Sequence, residues 1–526
     1  MFTIRFQVPT MTRRPLVALL AVLLALVAVP ASPAQFKITT PVNFAGNSLA
    51  DGIALNGGPF APPDTEGSVG LQHYVEFTNG TFAIYSKSNG ALVGSKISDT
   101  TFWTNSGISS NLLLSGISDP RIIFDPSSNR WFASEITTPN TRNRILLAVS
   151  NNADPTQGFK AVQFRAASGF WDFPTLGVDA NGVFLGTNNF SNGSATGTFT
   201  GVSGFSIPKA DLVGATPSIA RLTRFNNLNA NTVGFTLQGV TNFGAAPSSR
   251  FVAVSNSTTT FGPLQSTPIN GVTGAGATLG ATTTINPAAY TAVAPPAQQP
   301  GSATTIDSID NRYGSVTYQV GSLTYLAHTV DTGSGRASIR WTVLNGNNVY
   351  LEGTITDPNP TPHFDFFMPS VTANPSGVMV IGFNRSGDST TGSAGNVSAF
   401  ARVIQTTLTG ATGSVLFDSG NILLAAGTTG AYSLLGSPER WGDYSSISPD
   451  PSNPNAFWTA QEIPVGANSW GTQITEILVS PAAVPEPTSL VLTGLGAGAL
   501  LAGVWRRRAK AHQGKAAGRD VALTPA

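Results

Sequence analysis

One short plan is written four times along the chain, and it restricts the fold more than any other feature. The plan is an apolar run, a tight polar turn and a second apolar run. It reads SDPRIIFDPSSNRWFASE around Pro120 and FWDFPTLGVDANGVFLGT around Pro174 and Asp179. It returns as FDFFMPSVTANPSGVMVIGF around Pro369 and Asn374, and as RWGDYSSISPDPSNPNAFWTAQE around Asp443 and Asp450. Short runs rich in β-branched and aromatic residues, bounded by Asp, Asn, Pro and Gly, mark strands joined by turns. No long stretch between residues 35 and 480 carries helical periodicity. The first two copies lie about 50 residues apart, the span of a four-stranded propeller blade. The expectation is an all-β body, a single large β-propeller of about six to eight blades. Tandem β-sandwiches are the alternative.

The sharpest local expectation is a hairpin in HYVEFTNGTFAIYSK. Asn79-Gly80 suits a type I′ turn. Pairing outward sets Phe77 against Phe82 and Val75 against Ile84 on one face, with Glu76 and Ala83 on the other. The Gly-, Ala- and Thr-rich stretch 269–305 is expected to be a long loop between blades.

Both ends differ from this body. Arg5, Arg13 and Arg14 precede an apolar run from Pro15 to Val29, and small residues follow. That order predicts a secretory signal peptide over 1–34. At the other end, an uncharged apolar segment, 490–505, is followed at once by Arg506, Arg507 and Arg508. It predicts a short transmembrane helix, with a basic tail, 506–526, held in the cytoplasm by the positive-inside rule. The extracellular body is then 35–480, joined to the membrane by 481–489.

The charge account changes accordingly. The whole chain has 28 basic and 27 acidic residues. Removing the nine basic and two acidic residues of the two ends leaves 19 and 25 in residues 35–484, or about −6. An acidic body argues against nucleic acid as a partner. The absence of cysteine excludes cysteine nucleophiles, Cys-type zinc sites and disulfides.

Val484, Pro485, Glu486 and Pro487, the apolar segment and the arginine cluster together resemble the PEP-CTERM sorting signal of Gram-negative bacteria. The resemblance implies export through the secretion translocon and a precursor held in the inner membrane. It also implies recognition by exosortase, removal of the tail and delivery to the cell surface or the extracellular polymer. The two prolines keep the motif extended, just outside the bilayer. The body also resembles a broad group of secreted bacterial β-propeller-like proteins, through PPDTEGSVGLQHYVEFTNGTFAIYSKSNG, SDPRIIFDPSSNRWFASE, HTVDTGSGRASIRWTVL and RWGDYSSISPDP. That likeness implies a fold and no reaction.

Chemistry is sparse in the body. His73, His328 and His363 stand in separate regions, and no HExxH, GxSxG or P-loop occurs. Asp119, Asp172, Asp365 and Asp443 hold comparable places in the repeats, where they either face a common end or cap turns. Trp171 with Asp172, Arg340 with Trp341, and Arg440 with Trp441 and Asp443 are the candidate ligand-binding groups. Rings beside acids and arginines suit sugar contact, and the competing role for the rings is core packing. Asp450, Asn453 and Asn455 are the candidates for Ca²⁺, although their spacing matches no calcium loop. The expectation is therefore no cofactor and no resident metal. The expected protein is non-enzymatic, surface-sorted and associated with an extracellular polysaccharide matrix such as that of a biofilm. The alternative is a propeller-fold hydrolase acting on glycans.

Overall fold

The computed structural model describes residues 36–193, 196–246, 248–255, 262–291, 293–359, 361–481 and 499–508. The signal peptide over 1–34 and the motif Val484–Pro487 lie outside the described residues. So does the first part of the apolar segment 490–505. Residues 499–508 are helical and carry Arg506, Arg507 and Arg508. Among the described residues no helix is long and apolar enough to cross a membrane.

The body is mostly β, as its sequence plan requires. Strands β1 (Phe36–Thr39) and β2 (Asn43–Ser48) come first. β3 (Glu66–Val69), β4 (His73–Thr78) and β5 (Thr81–Ser86) form a three-stranded sheet. β6 (Ile117–Asp125), β7 (Arg130–Thr137), β8 (Arg144–Ser150) and β9 (Phe159–Arg165) form a four-stranded one. β10 (Phe170–Val178), β11 (Gly182–Phe190), β12 (Phe199–Pro208) and β13 (Thr223–Leu228) form the next.

A nine-stranded sheet then combines two antiparallel halves. The first half is β14 (Phe235–Thr241), β15 (Arg250–Val254) and β16 (Leu264–Asn270), with β17 (Thr278–Leu279) and β18 (Thr283–Ile285) on its edge. β19 (Ala297–Gln299) and β20 (Ser302–Ile306) pair separately. The second half is β21 (Thr317–Val320), β22 (Leu323–Asp331), β23 (Ala337–Asn345) and β24 (Asn348–Ile355). Among the described residues the strand pairing between the halves is one short parallel stretch, Val240 to Thr317 and Thr241 to Tyr318. β25 (Phe364–Ala373), β26 (Val378–Gly387), β27 (Ser398–Thr406) and β28 (Val415–Ala425) follow. In the last sheet, β29 (Ser446–Pro449) and β30 (Ala456–Gly466) lead to β31 (Ser469–Pro481), which pairs with β2. The stretch 269–305, expected to be a loop, thus contributes edge strands to β16 and one small sheet.

The first strands of these sheets are neighbours in order. β3 packs on β6, β6 on β10, β10 on β14, β21 on β25, β25 on β29, and β29 returns to β3. Their approach is close. A Cβ on Gly177 of β10 would lie 2.2 Å from the carbonyl oxygen of Gly239 in β14, so no larger residue fits there.

Each repeated proline sits in a bulge. Asp119, Phe173 and Met368, immediately before Pro120, Pro174 and Pro369, have φ of 64°, 52° and 50°. The strand register skips at the same places, between Ser118 and Arg121, Asp172 and Thr175, and Phe367 and Ser370. The bulge removes from the ladder the residue that has no N–H to donate.

The turn residue of each of the four repeats ties its own sheet to the next. Asp125 meets Lys209 Nζ at 2.8 Å, and Asp179 accepts from Ser249 Oγ at 2.6 Å. Asn374 donates to the Pro454 carbonyl at 2.8 Å. Asp450 meets Lys87 Nζ at 2.6 Å, linking the last sheet to the first.

The hairpin has the expected register, with Phe77 opposite Phe82, Val75 opposite Ile84 and Glu76 opposite Ala83. Its turn is not the expected type I′, because Gly80 has a φ of 81° while Asn79 is not left-handed. Asn79 is held by its own bonds: its N–H donates to the Pro63 carbonyl, and its side-chain amide donates to Pro62 and Asp64.

Candidate functional site

The residues that lead into the first strands gather acids at one end of the body. Asp64 precedes β3, Asp119 lies in the bulge of β6, Asp172 in β10, and Asp443 just before β29. Asp64, Asp119, Asp172 and Asp443 line one hollow of about 390 Å³ with Asn79 and Arg440. A second, of about 410 Å³, shares Asp172, Arg440 and Asp443 and adds Asp307, Asp310 and Arg312.

Internal hydrogen bonds occupy most of these carboxylates. Asp64 Oδ1 accepts the backbone N–H of Asp443 at 2.8 Å, and its Oδ2 accepts from Asn79 Nδ2 at 2.8 Å. Asp119 Oδ1 accepts from Ser118 Oγ at 2.7 Å, and Oδ2 accepts the N–H of Phe173 in the next sheet at 3.0 Å. Asp443 Oδ1 accepts from Arg440 Nη2 at 2.7 Å. Asp310 takes both Nε and Nη2 of Arg312, at 2.7 and 2.6 Å.

Crowding and burial shift the titration of the group. Burial first, then the charges of Asp443 and Asp119, push Asp64 well above the usual carboxylate range. Burial and Asp443 push Asp119 up as well. Asp172 is pushed up to about 7, by burial and then by Asp119 and Asp443. Burial also opposes ionisation of Asp310, but the Arg312 charge and hydrogen bonds hold it below the usual range. The mouth therefore holds protons near neutrality that isolated aspartates would lose.

Beneath it, Arg121 joins several sheets. Its guanidinium contacts Glu66 at 3.1 Å, the carbonyls of Pro174 and Gly314 at 2.9 and 2.8 Å, and the Tyr444 ring face at 3.4 Å. Neither the sequence plan nor any motif marks Asp64, Asn79, Arg121 or Arg312 as part of this end. Asp64-Thr65-Glu66 before an apolar strand was the one available cue, because it repeats the acid-then-strand order of the other copies.

The other candidates fall elsewhere. Asp365 is apart from the mouth: it accepts the N–H groups of Gln298 and Ala337 and faces Arg336 at 3.3 Å. Trp171 is buried against Phe164 and Phe205, and Trp341 lies among the core residues between β23 and β25. Trp441 is 1% exposed, edge-on to Tyr432, with Nε1 on Asn384 Oδ1 at 3.2 Å. These rings pack in the core and have no open face to stack on a sugar. Arg340 is buried and reaches Glu352 at 3.6 Å. Of the named ligand-binding candidates, the mouth brings together Asp172, Arg440 and Asp443.

His73 lies 3.9 Å from Asp154, His363 Nδ1 meets the Asn359 carbonyl, and His328 is buried between Tyr290 and Tyr313. Burial holds His328 down to about 4, so it is neutral at physiological pH. Asp450 is occupied by Lys87, by the N–H groups of Ser452 and Asn453, and by Trp458 Nε1. Asn453 Oδ1 accepts the N–H of Asn455. The turn named as a Ca²⁺ candidate therefore has a lysine ammonium on its Asp450 carboxylate. Among the described residues no three His, Asp or Glu side chains converge as a metal site.

No known protein family is matched by the sequence. No curated protein matches it either. Solved structures share only weak likeness. A protein of unknown function from Dyadobacter fermentans is 8% identical, with a TM-score of 0.37 over 69% of this chain and 94% of that one. An α-L-arabinofuranosidase from Fusarium graminearum is 10% identical, with a TM-score of 0.33 over 79% and 93%. An arabinanase from Bacillus subtilis is 12% identical, with a TM-score of 0.28 over 65% and 94%. Likeness at these scores bears on neither activity nor site.

Proposed function

We propose that the body is one seven-bladed propeller, closed by pairing of β31 with β2. In this reading the protein is non-enzymatic, exported, sorted to the cell surface by its PEP-CTERM tail, and associated with extracellular polysaccharide. Residues 1–34 are its signal peptide, 490–505 a temporary membrane segment, and exosortase the enzyme that removes the tail. The circuit of first strands from β3 round to β29 supports the blade count.

One observation carries the non-enzymatic reading. Asp64, Asp119 and Asp443 are held by backbone N–H groups, Asn79, Ser118 or Arg440, and Asp310 by Arg312. A glycosidase instead needs two carboxyl groups facing each other across an open cleft, free to exchange protons with substrate. Asp172, pushed up to about 7 by burial and then by Asp119 and Asp443, is the mouth acid to test as a general acid. The test is to incubate the purified protein with acidic and neutral bacterial polysaccharides. The expected result is retention on a polymer without release of reducing ends. Release that disappears in Asp172→Asn would establish the hydrolase instead, and absence of retention on every polymer would remove the matrix role.

A further inference from the structure

The first strands end at a further hollow, whose wall contains none of the mouth acids. It holds about 540 Å³, within the range of small-molecule sites. Val69, Phe124, Phe243, Tyr318, Leu323 and Tyr325 give it an apolar wall around the ends of β3, β6, β14 and β21 and the start of β22. Pro126, Pro375, Pro449, Pro451 and Pro454 also line it and present no N–H to a ligand.

The buried Asn, Ser and Asp side chains of the wall are already engaged. Asn242 bonds the Ala246 carbonyl and the Gly244 N–H. Asn374 bonds the Pro454 carbonyl and the N–H groups of Ser376 and Val378. Ser68 and Ser448 accept the N–H groups of Phe124 and Val69. Asp450 is neutralised by Lys87. A charged ligand would find no free counter-charge here, and burying an unpaired charge is strongly unfavourable.

Two groups stand apart. Tyr318 and Tyr325 are direct cross-strand partners, so their side chains share a face. Among the described residues, no hydrogen bond within the protein engages either phenol. The geometry points to a binding site for one uncharged, largely apolar small molecule whose oxygen bonds these phenols. This site is independent of the acidic mouth.

The experiment titrates the purified protein with the neutral dye N-phenyl-1-naphthylamine and reads its fluorescence. The expected result is saturation at one dye per chain, with displacement by decanol and at least roughly tenfold poorer displacement by decanoate. Ser322 lines the hollow from an exposed turn, so Ser322→Trp fills it without disturbing the core. That variant should weaken dye binding by roughly tenfold or more while melting as the parent does. Val320→Arg, which places a charge in the wall, should do the same. Tyr318→Phe with Tyr325→Phe should keep the dye and lose affinity for decanol. Asp172→Asn, at the other end, should change nothing. Unsaturable binding, equal displacement by decanoate, or full binding by both Ser322→Trp and Val320→Arg would overturn the assignment.

Discussion

The backbone N–H of Asp443 donates to Asp64 Oδ1 at 2.8 Å, across 379 residues of chain. Asn79 completes the junction. It donates to Asp64 Oδ2, and its own Oδ1 accepts the N–H of Asp119 at 3.0 Å. The approach to the last sheet, the first hairpin and the bulge of β6 are therefore joined through two side chains, Asp64 and Asn79. Asn79→Ala would leave a buried amide and a buried carboxyl oxygen without that partner, at about 1–3 kcal/mol each. Urea unfolding should show a loss of about 2–4 kcal/mol, and a loss under about 1 kcal/mol would show that the junction bears little of the stability.

Lys87 and Asp450 make the corresponding tie at the other end of the first strands. The Asp450 side chain is 1% exposed, so Lys87→Met strands a buried charge. A loss of about 3 kcal/mol is expected, and adding Asp450→Asn should recover part of it. A double variant less stable than Lys87→Met would contradict this origin of the loss.

Buried carboxyls set the pH dependence. Burial pushes Glu66, Glu76 and Asp172 each up to about 7, and Asp99 up to about 6. In the unfolded chain such groups titrate near 4. Between those values the folded state binds more protons, so their stabilisation is complete below about pH 4 and is lost as pH rises through 7. His328 opposes this between about 4 and 6.5, because burial keeps it neutral while the unfolded imidazole is charged. One imidazole does not offset four carboxyls. The melting temperature should fall from about pH 5 to about pH 8, and Glu76→Gln should flatten the fall. A rising curve would contradict protonated carboxyls in the folded state.

The strand plan was legible because its signals are local. Alternation and turn residues place β6 with β7, β10 with β11, and the Phe77–Phe82 register, all within a few residues. The site was legible only in part, because it is built by long-range contact. Asp119, Asp172 and Asp443 stand out in the repeats, yet nothing in the chain places Asp64 beside Asp443 or separates Asp365 from them. The left-handed residues at Asp119, Phe173 and Met368 were hidden for another reason. The sequence displays the prolines, while the bulge that accommodates them depends on the neighbouring strand. The tryptophans beside Asp172, Arg340 and Asp443 face inward, and the direction of a side chain at a bulge does not follow from strict alternation.

Trp171 tests that division. Trp171→Ala should cost about 3–5 kcal/mol through lost packing. Retention of polysaccharide well below the melting temperature should not change. Loss of retention with unchanged stability would return the ring to a binding role.

The central claim concerns where the protein goes, and its C-terminus reports this directly. Intact mass and C-terminal peptides should be measured from cells with and without exosortase. The account predicts a surface form that ends near Pro485–Pro487 in the first case, and a membrane-held form keeping Arg506–Arg508 in the second. The same complete tail in both would contradict it.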